Sequence, residues 1–150
     1  MPRMLQKAGS LGLQKNLALH FEETRQHRVA VEAICKGLNI DPKGGEPHAG
    51  LQQLLQKGEQ LMMGKSTGDE LDAMIIRTAQ EIEGLEIAAY EPAGYAAKEL
   101  GYEGIAKRLF LTLEEERQAD TKLRFLEKAF FGKRADIGQQ EVVPLSQVAG

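Results

Sequence analysis

The feature that most constrains this 150-residue chain is a set of three long helical stripes whose inward positions change from apolar to acidic part-way along. An inward spacing of three or four residues runs from Ala79, just before the segment QEIEGLEIAAYEP, to Tyr90 within it. The same spacing places Glu83 and Glu86 on the inside of a helix. Burying an ionised carboxylate costs roughly several kcal/mol unless a cation or hydrogen bonds compensate for the lost water. Any fold of this chain must therefore supply these carboxylates with a positive partner.

Composition predicts a single all-α domain in a cytoplasmic protein. Helix formers dominate, and aromatic residues make up only 5% of the chain. The formal net charge of -3 comes from interspersed signs, so we expect neither nucleic acid nor a membrane surface as a partner. Cys35 is the only cysteine, the amino terminus lacks a secretory leader, and no apolar run approaches the roughly 20 residues that cross a bilayer.

Hydrophobic periodicity predicts a short helical segment over residues 1–8 and long helices over about 11–36, 67–100 and 102–131. A shorter helix over 51–63 lies within the long connection between the first two long helices. This order predicts a ferritin-like four-helix bundle with a long crossover and a first helix that is cut short. Residues 1–131 form the predicted domain, Gly132 ends the last helix, and residues 132–150 are predicted to be a flexible tail.

Each long helix places potential metal ligands at inward positions. They are His20, Glu23 and His27 on the first long helix, Glu83 and Glu86 on the second, and Glu116 and Asp120 on the third. The three stripes carry no Lys or Arg at an inward position, so bound divalent cations are the expected partners of these carboxylates. Carboxylates with one or two imidazoles favour iron or manganese over structural zinc.

Each of these residues also has a simpler interpretation. A Glu-x-x-Glu pair is more often solvated than metal-binding, and Asp120 could instead turn outward to pair with Arg124. His20 and His27 do not reproduce the usual Glu-x-x-His spacing, so either histidine could lie outside the ligand set. Glu115 belongs to the charged run LEEER and is predicted to be solvated, whereas Tyr90 is predicted to pack.

Four segments of the chain carry a family resemblance: HFEET from His20, EIEGLEIAAY from Glu81, LGYEGIAKRL from Leu100 and TLEEERQADTKL from Thr112. In this order they resemble the YciE/YciF family of ferritin-like bacterial stress proteins. The resemblance implies a ferritin-like bundle, usually dimeric, with a di-metal site and no settled activity, so whether the chain is an enzyme stays open. The family pattern carries over to a set of five positions. These are His20, Glu23, Glu83, Glu86 and Glu116.

The amino terminus departs from the family pattern, because relatives begin with a longer helix that carries a Glu in a segment like AEKQ. Here Glu22 is the first acidic residue, which predicts either a truncated start or a lopsided, open site. A homodimer is expected to cover the apolar stripes that a short first helix leaves bare. Two hypotheses follow: an iron- or manganese-binding stress protein that oxidises ferrous iron with oxygen or peroxide, or a metal-free scaffold with a degenerate site.

Overall fold

The computed structural model describes residues 2–46, 48–64 and 66–140, and within these ranges it contains five α-helices and no strand. The helices are α1 (Pro2–Lys7), α2 (Leu11–Gly37), α3 (Ala49–Met63), α4 (Gly68–Glu99) and α5 (Glu103–Gln140). The all-α prediction is therefore confirmed for the part of the chain that the structure describes. The short α1 and the crossover helix α3 lie where the periodicity placed them.

The junction between α1 and α2 is fastened to α4 by a buried carboxylate. Asp72, whose exposed fraction is 2%, accepts hydrogen bonds from the backbone N–H of Gly9 at 2.6 Å and of Ser10 at 2.7 Å. Ser10 is also the N-cap of α2, and its hydroxyl accepts from the N–H of Leu13 at 3.3 Å. Asp72 therefore satisfies backbone donors that would otherwise be unpaired at the start of α2.

Helices α4 and α5 form an antiparallel hairpin around Gly101. Gly101 has a φ of 78°, a left-handed value that favours glycine, and its N–H donates to the carbonyl of Lys98. Further along the hairpin, a Cβ at Gly94 would lie 2.7 Å from the ring of Phe110, so this position has no room for a side chain. The close approach lets α4 pack tightly against α5, and this is the most extensive contact between two helices in the described part of the chain.

The apolar core occupies the end of the bundle where α1 packs against α2 and α3. It consists of Met4, Ala8, Leu13, Leu17, Met62, Leu71, Ile75, Ile76, Ala79 and Leu123. Five of them lie on the inward stripes predicted for the three long helices: Leu13, Leu17, Ile76, Ala79 and Leu123. Met4, Ala8 and Met62 come instead from α1, the turn after it and α3. In the described ranges, no helix combines the length and apolar character that crossing a membrane requires.

Two predicted helix signals differ from the structure. Helix α5 continues through Gly132 to Gln140, because a glycine inside a helix costs only about 1 kcal/mol relative to alanine and does not end it. Residues 141–150 lie outside the described ranges, so a flexible tail there stays a prediction. The three-residue spacing of Thr67 and Glu70 predicts a capping box at the start of α4. Thr67 is the N-cap, but its side chain accepts no capping hydrogen bond, so this prediction is wrong.

Candidate metal centre

A cluster of polar side chains begins where the apolar core ends. One potential ligand atom from each of four residues lies within 4.8 Å of the others, and the residues are His20 on α2, Glu83 and Glu86 on α4, and Glu116 on α5. Glu83 and Glu116 are completely buried, and His20 is 5% exposed. All four belong to the set of metal ligands predicted from the sequence, and the packing of α2, α4 and α5 brings them together.

The cluster contains more acceptor atoms than donors. Several of its buried atoms have no hydrogen-bond partner among the described residues: Nδ1 of His20, both carboxylate oxygens of Glu83, Oε2 of Glu86 and Oε2 of Glu116. Nε2 of His20 lies 2.9 Å from Oε1 of Glu83, but the contact lacks the alignment of a hydrogen bond. Unpaired lone pairs that face one another in a dry interior are what a bound cation would use as ligands.

The donor set fits a divalent transition metal. Among the described residues, no Lys or Arg forms an ion pair with Glu83, Glu86 or Glu116, so histidines are the only basic groups that contact these carboxylates. Three carboxylates with one imidazole match the ligands that iron and manganese take, and the cluster includes no thiolate.

Burial and mutual repulsion shift the pKa values inside the cluster. Burial raises the pKa of Glu83 to about 7 despite the opposing effect of His20, and burial with the charges of Glu116 and Glu83 raises that of Glu86 to about 7. Burial alone would lower the pKa of His20, but the adjacent carboxylates, Glu83 above all, raise it to about 9. A cation that binds here must displace the protons that Glu83 and Glu86 hold near pH 7, so metal affinity should rise as pH rises.

His27 lies beside the cluster and is held by two carboxylates of α5. Its Nδ1 is 2.8 Å from Oε1 of Glu116, and its Nε2 is 2.7 Å from Oε2 of Glu115. Burial opposes a charged imidazole, yet the hydrogen bonds to Glu116 and Glu115 outweigh it and raise the pKa of His27 above its ordinary value. For Glu116, burial acts to raise the pKa, but the hydrogen bond from His27 contributes to a net lowering.

The two remaining predicted ligands lie at the edge of the cluster. Oε2 of Glu23 is 3.7 Å from Nδ1 of His20, and the Glu23 side chain is 27% exposed. Asp120 turns toward Arg124, whose Nε donates to Oδ2 at 2.7 Å, as the simpler interpretation of this residue anticipated. The other oxygen of Asp120 is buried and has no hydrogen-bond partner in the part of the chain that the structure describes. The structure therefore places Glu23 and Asp120 outside the compact group of four.

A surface cavity reaches the cluster between α2 and α4. Its volume is 280 Å³, and its walls include Thr24, His27, Glu86 and Tyr90. Tyr90 packs edge-on against His27 with ring centroids 6.3 Å apart, and burial, followed by the charge of Glu86, raises the pKa of its hydroxyl to about 12. The packing role predicted for Tyr90 agrees with this geometry, and Glu86 forms part of the cavity wall.

Sequence reasoning missed the roles of Glu115 and Asp72. Glu115 was assigned to a solvated run, yet its side chain is only 35% exposed and its carboxylate contacts the buried ring of His27. Asp72 went unnoticed, although it lies three and four residues before the inward Ile75 and Ile76, on the same helical stripe. Its position opposite the Gly9–Ser10 turn depends on how α4 packs and has no local sequence signal.

Long antiparallel helices with carboxylates and a histidine facing inward define the chain as a ferritin-like helical protein. Residues 1–135 match the family described as "Domain of unknown function (DUF892)", and the chain belongs to that family. It is 34% identical over 118 residues to Protein YciF of Escherichia coli (strain K12). The aligned stretch covers 78% of this chain and 70% of that relative. The YciE/YciF resemblance drawn from the four motifs is thereby confirmed.

Two solved structures share the fold. The crystal structure of the E. coli stress protein YciF matches with a TM-score of 0.80 and 26% identity, covering 87% of this chain and 82% of that one. YcfI from Rhodopseudomonas palustris matches with a TM-score of 0.74 and 31% identity, covering 82% of this chain and 78% of that one. The chain therefore shares the overall fold of YciF.

Proposed function

We propose that this chain is a stress-response protein whose carboxylates and histidine between α2, α4 and α5 would hold a pair of iron or manganese ions. One observation carries the proposal: Glu83, Glu86 and Glu116 have buried oxygens without a hydrogen-bond partner among the described residues. One ligand atom from each of these residues and one from His20 all lie within 4.8 Å of one another. The printed description of YciF as a stress protein supports the physiological part of the proposal.

Charge balance favours two ions over one. Glu83, Glu86 and Glu116 carry three negative charges when ionised, and Glu23 lies next to His20 and supplies a fourth. Four carboxylates balance two divalent cations, which leaves the interior neutral and removes the cost of burying unpaired charge. His20 would supply the nitrogen ligand through Nδ1 or Nε2. Its imidazole would first have to lose the proton that pairs it with Glu83, because only a deprotonated ring nitrogen can bind a metal.

Bound iron or manganese would supply redox chemistry toward oxygen or peroxide, with ferrous iron as the electron donor. The protein's own part is to hold the ligands in place, to exclude bulk water and to admit a small oxidant. The 280 Å³ cavity meets Glu86 and provides the entry, whereas the apolar core at the other end of the bundle closes the site.

A homodimer is the second part of the proposal. Exposed apolar side chains lie along α2, where Leu11 is 63%, Leu19 is 53% and Val29 is 55% exposed. A second copy of the chain would bury this surface. Sedimentation velocity measures the mass in solution: a dimer supports this part, and a monomer at concentrations up to about 100 μM contradicts it.

The rival function, a metal-free scaffold, is favoured by one observation. The pKa values of Glu83 and Glu86 are raised to about 7, so both carboxyls hold a proton for part of the time near neutral pH. A protonated carboxyl can remain in a core without a cation. The scaffold therefore predicts a protein whose stability does not respond to iron or manganese.

The test is to measure metal content and thermal stability together. Protein purified without chelator is expected to contain iron or manganese. After the metal is stripped, adding Mn²⁺ at about 100 times its Kd should stabilise the fold by roughly 2.7 kcal/mol for each ion that binds. Glu86→Gln should lose most of this gain, whereas Glu114→Gln, which removes an exposed charge from the neighbouring run, should keep it. Equal responses of wild type and Glu86→Gln would contradict the proposal.

A further inference from the structure

Glu116 presents its two oxygens to different surroundings. Oε1 is 2.8 Å from Nδ1 of His27, whereas Oε2 has no hydrogen-bond partner within the described ranges and lies 3.9 Å from Nε2 of His20. One oxygen is therefore held by a side chain outside the group of four, and the other faces into that group. A carboxylate fixed in this way cannot rotate about its last bond without losing the contact with His27.

The ring of His27 is in turn fixed from its far side. Nε2 lies 2.7 Å from Oε2 of Glu115, the residue that precedes Glu116 on α5. The His27 side chain is only 3% exposed, so its orientation depends on these two contacts and on the edge-on packing of Tyr90. Glu115, His27 and Glu116 thus form a continuous chain of contacts from the half-exposed surface to the buried cluster.

We infer that His27 is a positioning residue, which holds Oε1 of Glu116 so that Oε2 is presented to the metal ions, while Glu115 fixes the imidazole ring. This role rests on the proposed metal function, and it makes His27 a residue outside the ligand set that controls metal affinity. It differs from the sequence prediction that His27 itself supplies a nitrogen ligand, because both ring nitrogens are within 2.8 Å of carboxylate oxygens. A ring nitrogen that donates a hydrogen bond has no free lone pair for a metal.

Groups that orient metal ligands through hydrogen bonds typically change metal affinity by about 10–100-fold when they are removed. We therefore expect His27→Ala to weaken Mn²⁺ binding by about that factor while the number of bound ions stays the same as in wild type. His27→Gln can still donate one hydrogen bond to Glu116 and should recover part of the loss. Glu115→Gln should give a smaller loss, because the ring remains in place.

The experiment measures Mn²⁺ affinity by calorimetry on the full chain and counts coordinated imidazoles by pulsed electron paramagnetic resonance. Wild type, His27→Gln and His27→Ala should all show one nitrogen coupling, from His20, and His20→Ala should show none. Glu114→Gln is the matched control for Glu115→Gln, since it makes the same charge change one residue away on an exposed side chain. The melting temperature of each metal-free variant confirms that it is folded.

Separate outcomes would overturn the inference and the function on which it rests. Loss of a nitrogen coupling in both His27 variants would show that His27 is a ligand and would overturn the positioning role. Affinities of the His27 variants within about twofold of wild type would overturn it as well, given the effect expected of an orienting group. Failure of wild type to bind Mn²⁺ would overturn the proposed metal function itself, which the other two results leave standing.

Discussion

Asp72 and Glu83 are both buried carboxylates on the inward side of α4, yet their surroundings are opposite. Asp72 is 2% exposed, and its two oxygens accept hydrogen bonds from the N–H groups of Gly9 and Ser10. Glu83 is 0% exposed, and neither of its oxygens has a hydrogen-bond partner among the described residues. Asp72 has the hydrogen-bonded oxygens of a carboxylate that stabilises the fold. The oxygens of Glu83 lack such partners, as those of a metal ligand would in the absence of the metal.

The difference between them follows from what each helix neighbour offers. The turn before α2 presents free backbone donors, which are the usual partners of a carboxylate at a helix start. Around Glu83 the neighbouring inward groups are two further carboxylates and the ring of His20. The inward side of α4 therefore carries a carboxylate that stabilises the fold, Asp72, and a buried carboxylate without a hydrogen-bond partner among the described residues, Glu83.

The largest effect is expected from removing Asp72. Asp72→Ala leaves two backbone donors without partners, and hydrogen bonds to a charged group are worth about 1.5–3 kcal/mol each, so unfolding free energy should fall by about 3 kcal/mol or more. Urea denaturation measures this loss. Asp72→Asn keeps one acceptor and should lose less. A loss below about 1 kcal/mol for the alanine variant would show that the junction does not depend on this side chain.

Removing Glu83 should have the opposite sign in metal-free protein. Glu83→Leu replaces a buried carboxyl that has no hydrogen-bond partner among the described residues by an apolar group of similar size. This removes a burial cost of about 1–3 kcal/mol, so unfolding free energy should stay the same or rise. The same variant should no longer be stabilised by Mn²⁺. Chemical denaturation with and without chelator gives both numbers. A strongly destabilised Glu83→Leu protein would mean that Glu83 is held by the fold, as Asp72 is.

The pH dependence of metal-free protein should reveal the raised pKa values. Glu86 changes from an ordinary value of 4.5 to about 7 on folding, so the folded state binds more protons between these values and stability falls as pH rises through them. His20, raised from 6.5 to about 9, extends the loss of stability toward alkaline pH. Each of these two pKa differences corresponds to roughly 3 kcal/mol, and Glu116 shifts in the opposite direction, so the combined fall should be on the order of a few kcal/mol.

Denaturant midpoints at a series of pH values measure this fall, with Glu86→Gln as the variant that should flatten it. Saturating Mn²⁺ should reverse the trend, because metal binding requires deprotonated ligands and is favoured as pH rises. A metal-free protein that becomes steadily more stable from pH 5 to pH 8 would contradict the buried-carboxylate account.

The smallest effect is expected at Asp120. Its contact with Arg124 is an i, i+4 pair in which the arginine side chain is 65% exposed, and exposed pairs are worth roughly 0.2–1 kcal/mol. Asp120→Asn should therefore change unfolding free energy by less than about 1 kcal/mol and leave Mn²⁺ affinity nearly unchanged. A tenfold loss of affinity measured by calorimetry would return Asp120 to the ligand set that the sequence predicted.

The inward faces of the helices were predictable, whereas the partners of individual polar groups were not. The spacing that joins Leu13, Leu17 and His20 follows from 3.6 residues per turn, and the same geometry placed Glu83 inside. Which carboxylate meets which histidine depends on how the helices are shifted and rotated against one another, so the contact of Glu115 with His27 had no local signal. Asp120 lies at the edge of the inward stripe of α5, where a small rotation of the helix decides whether the side chain faces the core or the solvent.

The central claim is that metal ions bind between Glu83, Glu86, Glu116 and His20. Anomalous diffraction from a crystal soaked in Mn²⁺ tests it most directly, because it locates the ions without reference to stability or activity. We predict two anomalous peaks about 2 Å from oxygens of these carboxylates, one of them also next to a nitrogen of His20. Peaks found only at exposed carboxylates, with the oxygens of Glu83 bound to water alone, would contradict the account.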